Sequence, residues 1–328
     1  MFEKMKFSAF ANTWEPYHDR FSVQNPNDQK PPLDYVLKEI HNSGVFSGVE
    51  LVYPGHINKD NFREFHDLVK VNDLSISAVV ASVSSLEFFK EGALIADDPK
   101  TRRLAIGRIS DAIEIAKEVN SNKVVTWLGR DGYDYPFQQN YDKCWKRLVE
   151  AYREICSVNP GIQVCLNYKI KEPCNWLIVS TAAKSLLLIQ EVERDNLGVC
   201  FDCGHALAAN ENIAESVALL SRNHRLFHTH LNDNTRFWDD DLTIGSIHFL
   251  EMFEMMYWLN KTNYTGWLSL DPHVKTGDAT SVMVEGVNFI KGMIKVLGTI
   301  GETQMEEAIN SHSVSQILSL IQKELFGE

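Results

Sequence analysis

The sequence contains no run of 18 consecutive apolar residues, the length an apolar helix needs to span a bilayer. Basic charge is scarce as well: 32 Lys and Arg stand against 44 Asp and Glu, a formal net charge of −12. Phosphate backbones are bound through a cationic footprint, so this balance argues against a nucleic-acid partner, and equally against an anionic membrane surface. Cysteine is sparse. Its six copies (Cys144, Cys156, Cys165, Cys174, Cys200 and Cys203) lie mid-chain in no scaffold-like pattern, which fits reduced thiols rather than a disulfide framework. The opening residues, MFEKMKFSAFANTW, have no cationic stretch leading into a long apolar segment, so no secretory signal is read there. The expectation is a soluble cytoplasmic protein with neither a nucleic-acid nor a membrane partner.

Apolar residues make up 44% of the chain, enough for a large core. Short β-branched or apolar runs alternate with longer segments of helical period, the mark of βα units on a parallel sheet. Strands are expected at about 5–12, 46–53, 74–81, 122–128, 161–168, 197–202, 225–231 and 266–271. Between them, PPLDYVLKEIHNSG places Pro near a helix start and Gly after its end. DDPKTRRLAIGRISDAIEIAKEVN, YDKCWKRLVEAYREIC and STAAKSLLLIQEVERDN carry apolar residues at i, i+3, i+4 spacing. Eight such units specify an α/β fold, a closed (β/α)8 TIM barrel over residues 1–300, with a helical tail over 301–328. The tail's apolar stripe (Met305, Ile309, Ile317, Ile321, Leu325) must bury on this barrel or on a second subunit, and, with no evident partner within the chain, a homo-oligomer is expected. Polar segments at 12–32, 83–98 and 128–138 follow strands one, three and four, where barrels of this kind build their sites.

Side chains alternate across a strand, so parity tells which residues face the barrel axis. In IQVCLNYK, Val164 and Leu166 face the helices while Cys165, Asn167 and Lys169 face in. By the same rule Val199, Phe201, Phe227, Leu231, Leu268 and Leu270 face out; Cys200, Asp202, His228, His230, Asn232, Ser269 and Asp271 face in. Asn167, Asp202, His230 and Asp271 then converge from four neighbouring strands at the C-terminal mouth. Two carboxylates, an imidazole and an amide oxygen suit a divalent cation: Mn2+, Mg2+ or Co2+, with Zn2+ also compatible. Beside them His205, Asp239 and Asp241 form a second group, with Asp202 placed to bridge the two. Any one of these acids has an ordinary alternative as a helix cap or solvated charge. Several inward acids together repel one another, and a cation resolves that repulsion.

The segments NYKIKEP, FDCGHALAANENIAE, HTHLNDN, WDDDLTIGSIHFLE and YTGWLSLD, with GRDGYDYPF after strand four, resemble the xylose isomerase-like barrels, especially their sugar isomerase/epimerase branch that includes L-rhamnose isomerase. The resemblance covers essentially the whole chain. It implies that Asp202, His230 and Asp271 match a first metal site and His205, Asp239 and Asp241 a second. It also implies that Lys169 contacts substrate oxygens and that Glu172 lies in the turn after it. The family ordinarily has a glutamate where this chain has Asn167, which keeps an oxygen donor but loses a charge and a proton-transfer group.

The chemistry expected is metal-dependent aldose–ketose isomerisation, or epimerisation, of a small sugar, with Lys169, His205, Asp239 and Asp241 catalytic. The alternatives are a lyase on an oxidised (keto) glycoside, such as the large subunit of a C-glycoside-cleaving complex, and a catalytically silent sugar-binding barrel. Trp14, His18, Trp127, Arg130 and Glu172 are expected to bind substrate. Tyr17, Tyr133 and Tyr135 join the aromatic set, whose other reading is loop packing. Arg130 and Asp131 either bind hydroxyls or pair with each other. The CFDC spacing of Cys200 and Cys203 falls on opposite strand faces and is not read as a redox or zinc motif.

Overall fold

The structure, a computed structural model, describes residues 5–16 and 29–327. Eight parallel strands close into a barrel in chain order: β1 (Lys6–Phe10), β2 (Gly48–Tyr53), β3 (Ser75–Ser82), β4 (Lys123–Trp127), β5 (Gln163–Asn167), β6 (Leu197–Asp202), β7 (Leu226–Leu231) and β8 (Trp267–Leu270). All eight expected strands are present, each within a few residues of its expected bounds. Helices α1 (Leu33–Asn42), α2 (Phe62–Val71), α3 (Pro99–Glu118), α4 (Tyr141–Val158), α5 (Ala182–Val192), α6 (Ile213–Arg222), α7 (Phe249–Lys261) and α8 (Ala279–Ile300) surround them. Most start on a side chain that accepts an otherwise orphaned backbone N–H. Asp98, Asn140, Thr181, Asn212 and Asp278 cap α3, α4, α5, α6 and α8, each contributing about 1 kcal/mol.

Strand parity divides the interior in two. Val164, Leu166, Val199, Phe201, Leu231, Leu268 and Leu270 join the core between barrel and helices. Inside the barrel, Ala78, Val80, Val125, Cys165 and Cys200 pack into a separate apolar plug. One expectation fails. Phe227, read as facing the helices, instead packs against the plug from below, because the pairing of β6 with β7 slips by one residue between Val199 and Cys200. Such a bulge reverses the side of the strand on which the next residue lies. Its ring lies over Gly198, where a Cβ would meet it at 2.3 Å.

The tail forms two helices, α9 (Glu302–Asn310) and α10 (Val314–Phe326), which pack on α8. Met305 and Ile321 are buried there, and Ile309, Ile317 and Leu325 lie against the same core. The apolar stripe thus has the intrachain partner that the sequence did not reveal, while Val314, Leu318 and Phe326 remain exposed. No helix among the described residues is long and apolar enough to cross a membrane.

Candidate metal centre and active site

The last residues of β5 and β6, the next-to-last of β7 and the residue following β8 bring Asn167, Asp202, His230 and Asp271 together at the C-terminal mouth, all nearly inaccessible to solvent. Ligand atoms of Asp202, His230 and Asp271 all lie within 4.8 Å of one another. His230 Nδ1 is 3.2 Å from Asp271 and 3.7 Å from Asp202, and the Asn167 carboxamide nitrogen is 3.0 Å from it. Asp202 also caps the one-turn helix Cys203–Ala208, its Oδ1 accepting from the His205 N–H at 3.1 Å. Asn232 ties the two acids together, donating through Nδ2 to Asp202 Oδ1 at 3.2 Å and to Asp271 Oδ1 at 3.0 Å. Gly204 makes room for this amide: a Cβ there would sit 1.9 Å from Asn232 Oδ1.

Behind the imidazole stands Glu50, wholly buried on β2. Its two carboxylate oxygens meet His228 Nε2 at 2.7 Å and His230 Nε2 at 3.0 Å. Burial works against its charge, but the two imidazoles outweigh that and hold the carboxyl far below the usual range. Burial lowers the His230 pKa, but Cys200, Glu50 and Asp271 raise it well above the ordinary value; with the Nε2 proton fixed on a carboxylate, a cation at Nδ1 would take the place of the second proton, the arrangement found behind metal-binding histidines. His228, placed inward by strand parity, is this second partner of Glu50.

These residues fit a divalent cation. An imidazole nitrogen, two carboxylates and a carboxamide make a hard, oxygen-rich donor set. Asn167 Oδ1 is a buried acceptor without a hydrogen-bond partner. Burial, with Asp202 and Asp241 adding to it against the pull of His230, pushes the Asp271 carboxyl up to about 8. Two such acids cannot both ionise side by side in a dry site unless positive charge joins them.

The second group is assembled differently. Lys169 Nζ lies 2.7 Å from Asp239 Oδ2 and 3.2 Å from Glu172, over the Trp127 ring at 5.5 Å. His205 Nδ1 is 2.8 Å from the Tyr168 carbonyl and its Nε2 is 3.0 Å from the same Asp239 oxygen. Both ring nitrogens therefore face acceptors. Burial lowers the His205 pKa, but Asp202 and Asp239 more than restore it and raise it above the ordinary value. Asp239 is held far below the carboxylate range by Lys169 and His205 in spite of burial, and Lys169 is held protonated by Asp239, Asp241 and Glu172 against its own burial. Asp241 turns instead to His273, whose Nδ1 is 2.7 Å from Asp241 Oδ2. Burial and Asp239 together raise the Asp241 carboxyl. His205, Asp239 and Asp241 do not converge as the first group does: Lys169 and His205 both meet Asp239, while Asp241 meets His273. Asp240, between them, points away and caps Thr235.

A cavity of about 320 Å3 opens above these groups, at the lower end of the about 300–1,000 Å3 typical of small-molecule sites. Its lining joins apolar residues, Phe10, Val52, Val80, Val125 and Trp127, to polar ones, Asn167, Lys169, Asp202, His205, His230, Asp239, Asp241, Asp271 and His273. Of the residues expected to bind substrate, Trp127 reaches the cavity and Glu172 acts through Lys169. Trp14 lies outside the lining and donates from Nε1 to Thr280 at 3.1 Å. Arg130 donates to the Ser84 carbonyl at 3.3 Å rather than to Asp131. Asp131 accepts from the backbone N–H groups of Ala93, Leu94 and Ile95 at 2.7, 3.1 and 3.1 Å, clamping the loop after β3. Burial pushes its carboxyl up to about 6 although those three donors hold it down. Tyr133 packs on Tyr141 and Tyr135 is exposed. His18 and Tyr17 lie outside the described residues.

Comparison with known proteins gives a consistent picture. Residues 37–293 match the xylose isomerase-like TIM barrel family. Xylose isomerase of Thermus thermophilus is 27% identical over 228 residues, 67% of this chain and 59% of that enzyme, so the chain spans about three-fifths of the curated relative's length. Among solved structures, a D-tagatose 3-epimerase-like protein superposes with a TM-score of 0.68 at 22% identity, covering 90% of this chain and 99% of that one. The E. coli 3-keto-D-glucoside 4-epimerase YcjR gives a TM-score of 0.67 at 18% identity, covering 88% and 99%. At those identities the likeness is one of fold.

Proposed function

The chain belongs to the xylose isomerase-like TIM barrel family, and from that premise we propose that it is a metal-dependent enzyme that isomerises or epimerises a small sugar. The observation that carries this reading is the pairing of a cation-fitting cluster, Asn167–Asp202–His230–Asp271, with a buried lysine in the lining of one small cavity. A divalent cation held by that cluster would bind two adjacent substrate oxygens and polarise a carbonyl. Lys169, fixed on Asp239 and Glu172, presents a permanent positive charge to an oxygen that becomes negative as the carbonyl migrates. The Asp241–His273 pair faces the same space, its carboxyl raised above the usual range by burial and Asp239, and it is the pair suited to exchanging a proton with the substrate. His205 holds Asp239 in place from the other side. The apolar wall of Phe10, Val52, Val80 and Val125 excludes water and seats the carbon face of the ring.

The test is conversion of free aldoses and ketoses, followed by NMR in D2O with Mn2+, Mg2+ or Co2+ added. Conversion that a chelator abolishes is expected. Deuterium entering the substrate carbon assigns the step to proton transfer through Asp241, and its exclusion assigns it to a direct hydrogen shift. Failure to bind any of these metals, with no sugar in the panel converted, refutes the reading. The neutral Asn167 favours one second reading, elimination from an oxidised glycoside, in which a carboxylate at that place is not required. Including a keto-glycoside in the panel separates the two, since elimination releases the aglycone.

A further inference from the structure

The N-terminal mouth of the barrel, opposite the site above, opens into a second pocket of about 490 Å3. Lys6, Lys123, Gln163, Leu226 and Trp267, the first residues of β1, β4, β5, β7 and β8, all line it. Two aromatic rings form its floor. Trp267 lies over Gly48, where a Cβ would meet it at 2.7 Å, and Phe227 lies over Gly198. Lys123 and Gln163 stand two residues before Val125 and Cys165 of the apolar plug, so parity points them along the same axis.

The charge pattern here is unlike the rest of the molecule. The chain carries a net charge of −12, yet among the described residues no Asp or Glu lines this pocket, while Lys6, Lys123 and His224 do. Lys123 is only 8% exposed, and the partner of its ammonium is neutral: Gln163 Oε1 at 2.5 Å. The ammonium therefore faces the pocket with a neutral partner and no counter-charge among the described residues. Elsewhere this chain meets a buried ammonium with carboxylates, as Lys169 shows. Lys6 is poised over the Trp267 ring at 5.4 Å, within reach of the same opening.

We propose that this pocket binds a small metabolite bearing an oxyanion, a phosphate monoester or a carboxylate. The anionic head seats on Lys123 and Lys6, Gln163 rotates to donate through its amide nitrogen, and the uncharged body lies on Trp267 and Phe227. The site is separate from the sugar cavity and does not depend on the reaction proposed for it.

Calorimetric titration of the purified full chain with inorganic phosphate, glucose 6-phosphate and citrate, and with glucose as the uncharged control, tests this directly. The expected result is saturable binding of at least one anion at one site per chain, with quenching of a tryptophan emission that Trp267→Phe removes. Phosphate compounds alone, or citrate alone, identify the head group. Lys123→Gln weakens binding at least about tenfold, because a charge-assisted bond to the anion is lost. Gln163→Glu, which places a carboxylate beside the ammonium, weakens it as much while preserving the packing. Absence of saturable binding by any anion, or binding that both substitutions leave unchanged, overturns the proposal.

Discussion

Glu50→Gln tests the architecture of the metal centre through one buried group. Glu50 gives each of two imidazoles a carboxylate oxygen, to His228 at 2.7 Å and to His230 at 3.0 Å. A carboxamide offers an acceptor to one of them and an NH2 to the other. The shorter bond favours His228 keeping the oxygen, which forces His230 to turn a lone pair at Nε2 toward the amide and to carry its proton at Nδ1. That proton then occupies the position facing Asp202, Asp271 and Asn167. Loss of such a support behind a ligating histidine weakens metal binding by about 10–100-fold, or about 1.4–2.7 kcal/mol. The charged hydrogen bond lost from a wholly buried pair costs about 1.5–3 kcal/mol of stability besides. Calorimetric titration with Mn2+ and thermal melts in chelator, on both proteins, read the two effects separately. A folded Glu50→Gln protein with wild-type Mn2+ affinity would refute the assignment of His230 as a ligand through Nδ1.

Other substitutions probe the remaining parts. Asn167→Glu adds a charge facing the cation and is expected to tighten metal binding by about tenfold or more; equal or weaker affinity removes Asn167 from the ligand set. Lys169→Met should lower kcat by about 10²–10³-fold while leaving metal affinity in place, the size of effect seen when one stabilising donor is lost. Asp131→Asn leaves one of three loop N–H groups without a proper acceptor, at about 1–3 kcal/mol. Because burial raises the folded pKa of Asp131 to about 6, its contribution is complete below the unfolded value near 4 and declines as pH rises through 6, by about 3 kcal/mol in all. Thermal melts at pH 4.5 and 7.5 should therefore show the advantage of wild type over Asp131→Asn shrinking with pH; growth of that advantage contradicts the sign. A chain ending at Gly301 uncovers the face of α8 on which Met305 and Ile321 rest and should melt at lower temperature. An unchanged melting point means the tail adds nothing to the barrel.

Parity and period carried most of this fold. Alternation along IQVCLNYK and LFHTHLND was enough to place Asn167, His228 and His230 on the axis, because helices on the outside demand apolar residues at every other position. It failed at Phe227, where a bulge broke the alternation that the reading relied on. Glu50 was missed although its signal was present: a lone carboxylate inside the apolar run GVELVY has no reason to be there unless something opposite needs it. Asn232 was placed inward but given no role, since the bridge it makes between Asp202 and Asp271 depends on the space left by Gly204 on another element. His273 and the clamp formed by Asp131 were invisible for the same reason. Each acts on a partner brought close only by closure of the barrel, such as His273 on Asp241 across 32 residues of chain.

The apolar plug of Ala78, Val80, Val125, Cys165 and Cys200, with Phe227 packed against it from below, makes the barrel a cup rather than a tube. Anything that reacts above the plug enters and leaves by one door. Substrate and product of an isomerisation have the same atoms and nearly the same shape, so each waits on the other's departure. For the isomerisation proposed above, the expected kinetic consequence is competitive product inhibition at concentrations comparable to the substrate's own KM.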